Sequence, residues 1–111
     1  MLKKSKFLLF VFLLLILFST SVFSEGKGDA YIIPVNGEIN KASYNYLKST
    51  LKDIELKSPA AIIFEIDTYG GLINEAEKIK NLIIDLETPT ISFVNTKAES
   101  AGVLIAISSE K

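Results

Sequence analysis

The chain has 111 residues and a formal net charge of −1, which leaves room for one domain at most. It contains no cysteine and no histidine, so disulfide bridges and a Ser-His-Asp triad are excluded. Residues 1–24 hold three lysines and no acidic residue, and without them the net charge falls from −1 to −4. The remaining part has no cluster of basic residues for contacting phosphates, so nucleic acid is not expected as a partner.

The first 24 residues have the layout of a secretory signal peptide. A basic start at 3–6 precedes an unbroken apolar run at 7–18, and small or polar residues then lead to Ser24. This pattern predicts cleavage after Ser24, a linker at 25–29 and a domain on the extracytoplasmic side of a membrane. The alternative is a retained membrane anchor, which requires counting residues 19–23 to approach the roughly 20 apolar residues of a span.

Residues 30–111 alternate between strand and helix patterns. Apolar runs bounded by turn residues predict strands, and apolar residues at helical spacing predict helices. This order predicts an α/β domain in which repeated β-α units form a parallel sheet with right-handed crossovers. The second strand is a nearly continuous apolar run, which is typical of burial on both sheet faces. The predicted strands are 30–35, 60–66 and 90–94, the predicted helices are 41–56 (capped by Asn40), 72–86 and 101–107, and 95–99 is predicted as a loop.

The predicted domain has more apolar surface than its own residues can cover. The segment at 101–107 is too apolar for a surface helix, and small domains bury a smaller fraction of their surface than large ones. We therefore expect either the N-terminal part of a longer domain or a homo-oligomer.

Two loops follow the carboxyl ends of consecutive predicted strands, which is where parallel sheets place ligands. The first loop, at 67–71, ends in a glycine pair that opens a helix, so its N–H groups can bind an anion or an oxyanion. A glycine pair at such a junction is more often simple turn geometry. The second loop ends in Ser100. Because the strands are consecutive, we expect the two loops to be neighbours in space.

Ser100 has two interpretations. It stands directly before the last apolar segment, and serine is among the preferred N-caps, so capping alone explains it. As a nucleophile it would be followed by the small residues Ala101 and Gly102, which leave room for a substrate backbone. The Ala101 N–H and a second N–H from the glycine loop would then face the oxyanion of an acyl-transfer reaction.

The sequence pattern offers no convincing general base for Ser100. A lysine serves this role where burial lowers its pKa, but Lys97 lies in a polar stretch of the same loop. Glu99 is the immediate neighbour of Ser100, and adjacent residues at the start of a helix usually point apart.

Several segments together resemble the NfeD-like membrane-bound serine proteases of the ClpP class. They are D-T-Y-G-G at 67–71, the helix after it, E-T-P-T-I-S-F-V at 87–94 and E-S-A-G at 99–102. The resemblance covers residues 30–111. It implies a ClpP/crotonase-like fold and an incomplete serine protease domain.

Carried over to this sequence, the resemblance implies that Ser100 is the nucleophile and that the N–H groups of Gly71 and Ala101 form the oxyanion hole. Asp67 and Gly70 would shape the loop. Family members use a Ser-Lys dyad whose lysine lies on a later strand or loop, so we expect that lysine beyond residue 111. The resemblance further implies membrane association, a polypeptide substrate and a stomatin-like membrane protein as partner. No cofactor and no metal are expected.

Two positions depart from the family pattern. Tyr69 replaces the usual proline, and Glu99 replaces a small alanine and places a negative charge beside a serine whose transition state is itself negative. The function that the resemblance implies is that of an endopeptidase that cleaves apolar segments. Because of the two departures, a non-catalytic interaction module of the same fold remains an alternative. A signal-peptide-peptidase-like Ser-Lys protease is a further alternative. A crotonase-type acyl-CoA enzyme ranks last, because nothing basic near Gly70-Gly71 would hold the CoA phosphates.

Overall fold

The computed structural model describes residues 2–20 and 28–111. Its strands and helices alternate in the predicted order, so the predicted α/β fold is confirmed. The boundaries differ from the predicted ones by one or two residues except at the end of the third strand. The elements are α1 (Leu2–Thr20), β1 (Ala30–Asn36), α2 (Lys41–Glu55), β2 (Ala61–Thr68), α3 (Ile73–Ile84), β3 (Thr90–Ala98) and α4 (Ala101–Ala106).

Helix α1 coincides with the apolar leader of the sequence. In the described ranges, no helix combines the length and the apolar character needed to cross a membrane. The predicted cleavage after Ser24 and most of the predicted linker at 25–29 lie outside the described residues, so both stay predictions.

The three strands form a parallel sheet in the order β1-β2-β3. Along β2, Ile62, Phe64 and Ile66 are completely buried, whereas Ile63 and Glu65 on the opposite face are only half-buried. The expectation of burial on both faces is therefore wrong for the second face. Right-handed crossovers between strands in this order put successive helices on the same side of a sheet. The buried apolar residues of α2, α3 and α4 belong to one cluster with the covered face of the sheet.

Helix α2 begins where the sequence predicts, because Asn40 and Ser43 form a capping box. The Ser43 N–H donates to Asn40 Oδ1 at 3.0 Å, and the Asn40 N–H donates to Ser43 Oγ at 2.8 Å. Leu47, Leu51 and Ile54 form one apolar face of α2 and are buried in the same cluster as the core residues of the sheet. The cap thus fixes the start of α2 directly after the loop that leaves β1.

Strand β3 continues to Ala98, so the predicted loop at 95–99 is wrong over most of its length. The register gives the reason: Ile66 pairs with Val94, and Thr68 pairs with Ala98. One residue of β2 therefore lies opposite three residues of β3, which is a β-bulge. Bulges bend a strand and are common beside active sites, and this one has a polar sequence that resembles a loop.

Helix α4 is covered on one side only. Ala101, Gly102 and Ile105 are buried, whereas Val103 is 46% exposed and Ile107, just after the helix, is 69% exposed. The apolar segment at the end of the sequence therefore keeps part of its apolar surface uncovered among the described residues, as the sequence predicts.

The Asn40→Ala substitution removes the side-chain acceptor of the capping box. We expect the free energy of unfolding to fall by about 1 kcal/mol, as measured by urea denaturation. Asn45→Ala, in the exposed middle of α2, is the matched control and should be neutral or slightly stabilising, because alanine favours helix. Equal losses in both variants would contradict a capping role for Asn40.

Candidate active site

The two loops after β2 and β3 lie against each other, as the sequence predicts. A Cβ added to Gly70 would be 2.8 Å from the Cβ of Ser100 and 2.9 Å from the carbonyl oxygen of Glu99. The Glu99 N–H also donates to the carbonyl oxygen of Thr68 at 3.0 Å. Because Gly70 has φ 106° and no room for a side chain, glycine is required at this contact.

Ser100 stands at the N-cap position of α4 in a strained backbone conformation. Its φ is 52° and its ψ is −123°, a region that favours glycine and costs another residue roughly 1–3 kcal/mol. An N-cap residue normally has an extended backbone, and the Ser100 side chain makes no capping hydrogen bond. The capping interpretation is therefore wrong. The side chain is instead exposed at the sharp turn between β3 and α4.

Gly71, a predicted oxyanion donor, forms an isolated parallel bridge with the buried Ile39. The bridge consists of the Ile39 N–H donating to the Gly70 carbonyl at 2.9 Å and the Leu72 N–H donating to the Ile39 carbonyl at 2.8 Å. Neither bond uses the Gly71 N–H. In the loop and cap hydrogen bonds of the described residues, neither Gly71 nor Ala101 donates its N–H; Gly71 is exposed, whereas Ala101 is 1% exposed.

Thr68 is the residue of the site that sequence reasoning missed. It is 1% exposed, and its Oγ1 donates to the Gly37 carbonyl while accepting the Gly70 N–H at 2.9 Å. Its methyl group lies 2.5 Å from where a Cβ on Gly102 would be. Thr68 therefore connects the loop after β1, the glycine loop and α4. The available signal was a hydroxyl residue at the end of an apolar strand, directly before the glycine loop.

Lys97 binds Asp67 and Tyr69 from the β3 bulge. Its Nζ is 3.2 Å from Asp67 Oδ1 and 4.3 Å from the centroid of the Tyr69 ring. The hydrogen bond to Asp67 raises the pKa of Lys97 above its ordinary 10.5, and the negative charge of Asp67 adds to this rise. An ammonium held in an ion pair with a carboxylate is a poor general base. Asp67, expected only to shape the loop, contributes the carboxylate of this ion pair.

Glu99 is exposed beside Ser100, and none of the described ion pairs or side-chain hydrogen bonds neutralises its carboxylate. The nearest lysine in sequence, Lys97, is bound to Asp67. A carboxylate next to Ser100 opposes the build-up of negative charge on a bound oxyanion. The site therefore contains one group that disfavours the expected chemistry.

Residues 2–20 and 28–111 contain no candidate metal-binding site. No three side chains of histidine, cysteine, aspartate or glutamate lie close enough together to hold a metal ion in these ranges.

Comparison with known families bears directly on this geometry. The family described as NfeD1b, N-terminal domain, matches residues 29–111. The chain belongs to this family. A curated relative, the membrane protein NfeD1b of Bacillus subtilis (strain 168), is 33% identical over 84 residues, which is 76% of this chain and 19% of the relative. This member of the NfeD1b family therefore spans a small part of that relative's length.

Solved structures share the fold of this NfeD1b-family chain. A serine-to-alanine mutant of the 1510-N membrane-bound stomatin-specific protease has a TM-score of 0.69 and 27% identity, covering 77% of the chain and 42% of the structure. A lysine-to-alanine mutant in complex with a substrate peptide has a TM-score of 0.68 and 28% identity, covering 77% and 40%. ClpP1 from Listeria monocytogenes has a TM-score of 0.69 at 23% identity, covering 71% and 46%, and shows the fold alone. The ClpP-like fold is confirmed, over less than half the length of these structures.

Thr68→Val tests the buried hydroxyl with little change in shape. Valine leaves the Gly37 carbonyl and the Gly70 N–H without their partner, so we expect the free energy of unfolding to fall by about 1–3 kcal/mol in urea denaturation. Thr68→Ser keeps the hydroxyl and loses one methyl group, which should cost about 1 kcal/mol. A valine variant as stable as the wild type would show that the hydroxyl contributes nothing.

Ser100→Gly and Ser100→Ala together measure the backbone strain at the turn. Both lose the hydroxyl, but only glycine relaxes the positive φ, so the glycine variant should be more stable by about 1 kcal/mol in urea denaturation. Ser58, with φ 51°, provides the same pair of substitutions outside the site. A glycine variant at 100 that is less stable than the alanine variant would argue against strain.

Proposed function

We propose that this chain supplies the nucleophile and the oxyanion hole of a membrane-associated serine endopeptidase. The observation that carries the proposal is the state of Ser100. Its backbone is strained, its side chain makes no capping hydrogen bond, and it lies against Gly70. The strain prevents the hydroxyl from satisfying the helix end and leaves it exposed. A conformation that costs stability and leaves a hydroxyl free is a common feature of functional sites.

In the proposed reaction, Ser100 Oγ attacks the carbonyl carbon of a peptide bond, and the carbonyl electron pair moves to the oxygen. The N–H groups of Gly71 and Ala101 stabilise this oxyanion. Collapse of the tetrahedral intermediate breaks the C–N bond, and the leaving amine takes the proton that the base removed from Ser100. Water then hydrolyses the acyl-enzyme with the same base, which restores the Ser100 hydroxyl.

The proposed base is a neutral lysine. Lys97 is unsuitable because its ion pair with Asp67 raises its pKa. The relatives solved as a serine-to-alanine mutant and as a lysine-to-alanine mutant with bound substrate peptide support a Ser-Lys dyad. We therefore propose that the dyad lysine comes from outside residues 28–111, and that the chain alone does not hydrolyse peptides.

The proposed substrate is a polypeptide with an apolar segment. Support comes from exposed apolar side chains next to the two loops, namely Leu72 and Ile73 at 55% each and Val103 at 46%. The names of the relatives, a membrane protein and a stomatin-specific protease, support a membrane location and a stomatin-like partner. We also propose that residues 1–24 are a signal peptide, that the domain lies on the extracytoplasmic side of the membrane, and that the protein forms a homo-oligomer.

One observation favours a second candidate function. The unneutralised carboxylate of Glu99 beside Ser100 opposes oxyanion formation, which is compatible with a non-catalytic module that uses the same fold to bind membrane partners. The reactivity of Ser100 distinguishes the two candidate functions, because Ser100 reacts in an endopeptidase and not in a non-catalytic module.

Fluorophosphonate labelling, followed by intact mass, tests the proposal. We expect the 111-residue chain to stay unlabelled, because residues 28–111 place no suitable lysine base beside Ser100. A longer form of the protein that includes a later lysine should be labelled. In that longer form Ser100→Ala should abolish labelling, whereas Ser58→Ala should not. Ser100-dependent labelling of the short chain would contradict the missing base, and an unlabelled longer form would support the non-catalytic module.

A further inference from the structure

Three side chains connect the ends of β2 and β3 beside Ser100. They are Asp67, Tyr69 and Lys97, and we call them the Lys97 latch. A single ammonium group makes both contacts, at 3.2 Å to Asp67 Oδ1 and 4.3 Å to the centre of the Tyr69 ring. The Lys97 side chain is 23% exposed and that of Asp67 is 39% exposed, so solvent and salt weaken these contacts only in part.

The latch lies within a few residues of the proposed catalytic groups on both strands. Tyr69 directly precedes the glycine pair, and Lys97 is separated from Ser100 by two residues. The Thr68 hydroxyl attaches the glycine loop to Gly37, on the side of β1. The latch attaches the same loop to the bulge of β3. Because Tyr69 directly precedes Gly70, movement of the glycine loop away from Ser100 would displace the Tyr69 ring from the Lys97 ammonium.

The bulge explains how Lys97 reaches its partners. Between the pairs Ile66–Val94 and Thr68–Ala98, β3 has two more residues than β2. The extra length bends β3 opposite Asp67, and bulges re-aim side chains in this way. Tyr69 is 74% exposed, and the Lys97 ammonium lies against its ring.

We propose that Lys97 is a positioning residue that holds the Gly70-Gly71 loop against Ser100 by binding Asp67 and Tyr69 together. Through the loop it sets the distance between the Ser100 hydroxyl and the Gly71 N–H. The consequence for reactivity rests on the proposed function, whereas the consequence for the loop does not.

Two substitutions at Lys97 separate the charge from the bulk of the side chain. Lys97→Met keeps the length and removes the ammonium, and Lys97→Arg keeps a cation that can bind a carboxylate and stack on an aromatic ring. Lys78→Met is a matched control on α3. Lys78 Nζ is likewise 3.0 Å from a carboxylate oxygen, that of Glu75, and 5.5 Å from the centroid of a tyrosine ring, that of Tyr44.

Amide hydrogen exchange of the 111-residue chain, followed by NMR, gives the first readout. The Gly70 N–H, bound to Thr68 Oγ1, and the Glu99 N–H, bound to the Thr68 carbonyl, report opening of the loop. We expect both to exchange about threefold to tenfold faster in Lys97→Met, from the loss of one ion pair and one cation–π contact. Exchange should stay within about twofold of wild type in Lys97→Arg and in Lys78→Met, because the latch persists in both.

The Phe64 N–H, in the core of β2, reports global unfolding in the same spectra. Unchanged Gly70 and Glu99 exchange in Lys97→Met would overturn the proposal. Equal acceleration at Phe64 would also overturn it, since Lys97 would then act on overall stability. If Lys97→Met does not fold, Asp67→Asn removes the partner charge and should open the loop in the same way.

The Lys97 side chain gives a second readout. Its ε-methylene protons should be shifted upfield by the Tyr69 ring, and Tyr69→Leu should abolish the shift while Tyr69→Phe retains it. A shift that Tyr69→Leu leaves in place would contradict the contact on which the latch depends.

Labelling kinetics connect the latch to reactivity. In a form of the protein whose Ser100 reacts with fluorophosphonate, Lys97→Met should lower the labelling rate about tenfold and Lys97→Arg should restore it. Equal rates in the wild type and Lys97→Met would show that the latch does not position the reacting groups. If no form reacts, the proposed function fails, and the exchange experiment still decides whether Lys97 holds the loop.

Discussion

The buried hydroxyl of Thr68 is the contact on which the arrangement of the site depends. A hydroxyl without access to water must both donate and accept, and here it donates to Gly37 and accepts from Gly70. Its methyl group fills the space that a side chain at position 102 would need. The glycines at 70 and 102 have different causes: a side chain at 102 would meet the Thr68 methyl group, whereas one at 70 would meet Ser100 and the Glu99 carbonyl. The hydrogen bond from the Gly70 N–H to Thr68 Oγ1 holds the residue that lies against Ser100.

The parts of the fold that depend on local signals could be predicted from the sequence. The capping box at Asn40 and the apolar face of α2 involve residues a few positions apart, and the alternation of strands and helices follows from short apolar patterns. The end of β3 could not be predicted in this way. The stretch from Asn95 to Lys97 is polar and resembles a loop, and only its pairing with a strand about thirty residues earlier makes it a bulged part of the sheet.

In the site, too, some features could be predicted from the sequence and others could not. The meeting of the two loops could be predicted, because the carboxyl ends of neighbouring parallel strands lie at one edge. The state of Ser100 could not, because a capping serine and a strained serine have the same position before a helix and differ only in φ and ψ. Lys97 is a similar case. Its pKa is raised by Asp67, which is distant in sequence and which the strand register brings within hydrogen-bonding distance.

The charges around Ser100 favour a base that becomes positive during the reaction. Lys97 is paired with Asp67, so its charge does not compensate Glu99. Helix α4 has only six residues, and its N-terminal dipole alone is a weak substitute for a full positive charge. A neutral lysine that takes the Ser100 proton becomes an ammonium at the moment when the oxyanion forms, and thereby opposes the charge of Glu99. The proposed lysine base therefore fits these charges better than a carboxylate base would. A carboxylate would bring a second negative charge to Ser100 before the reaction begins.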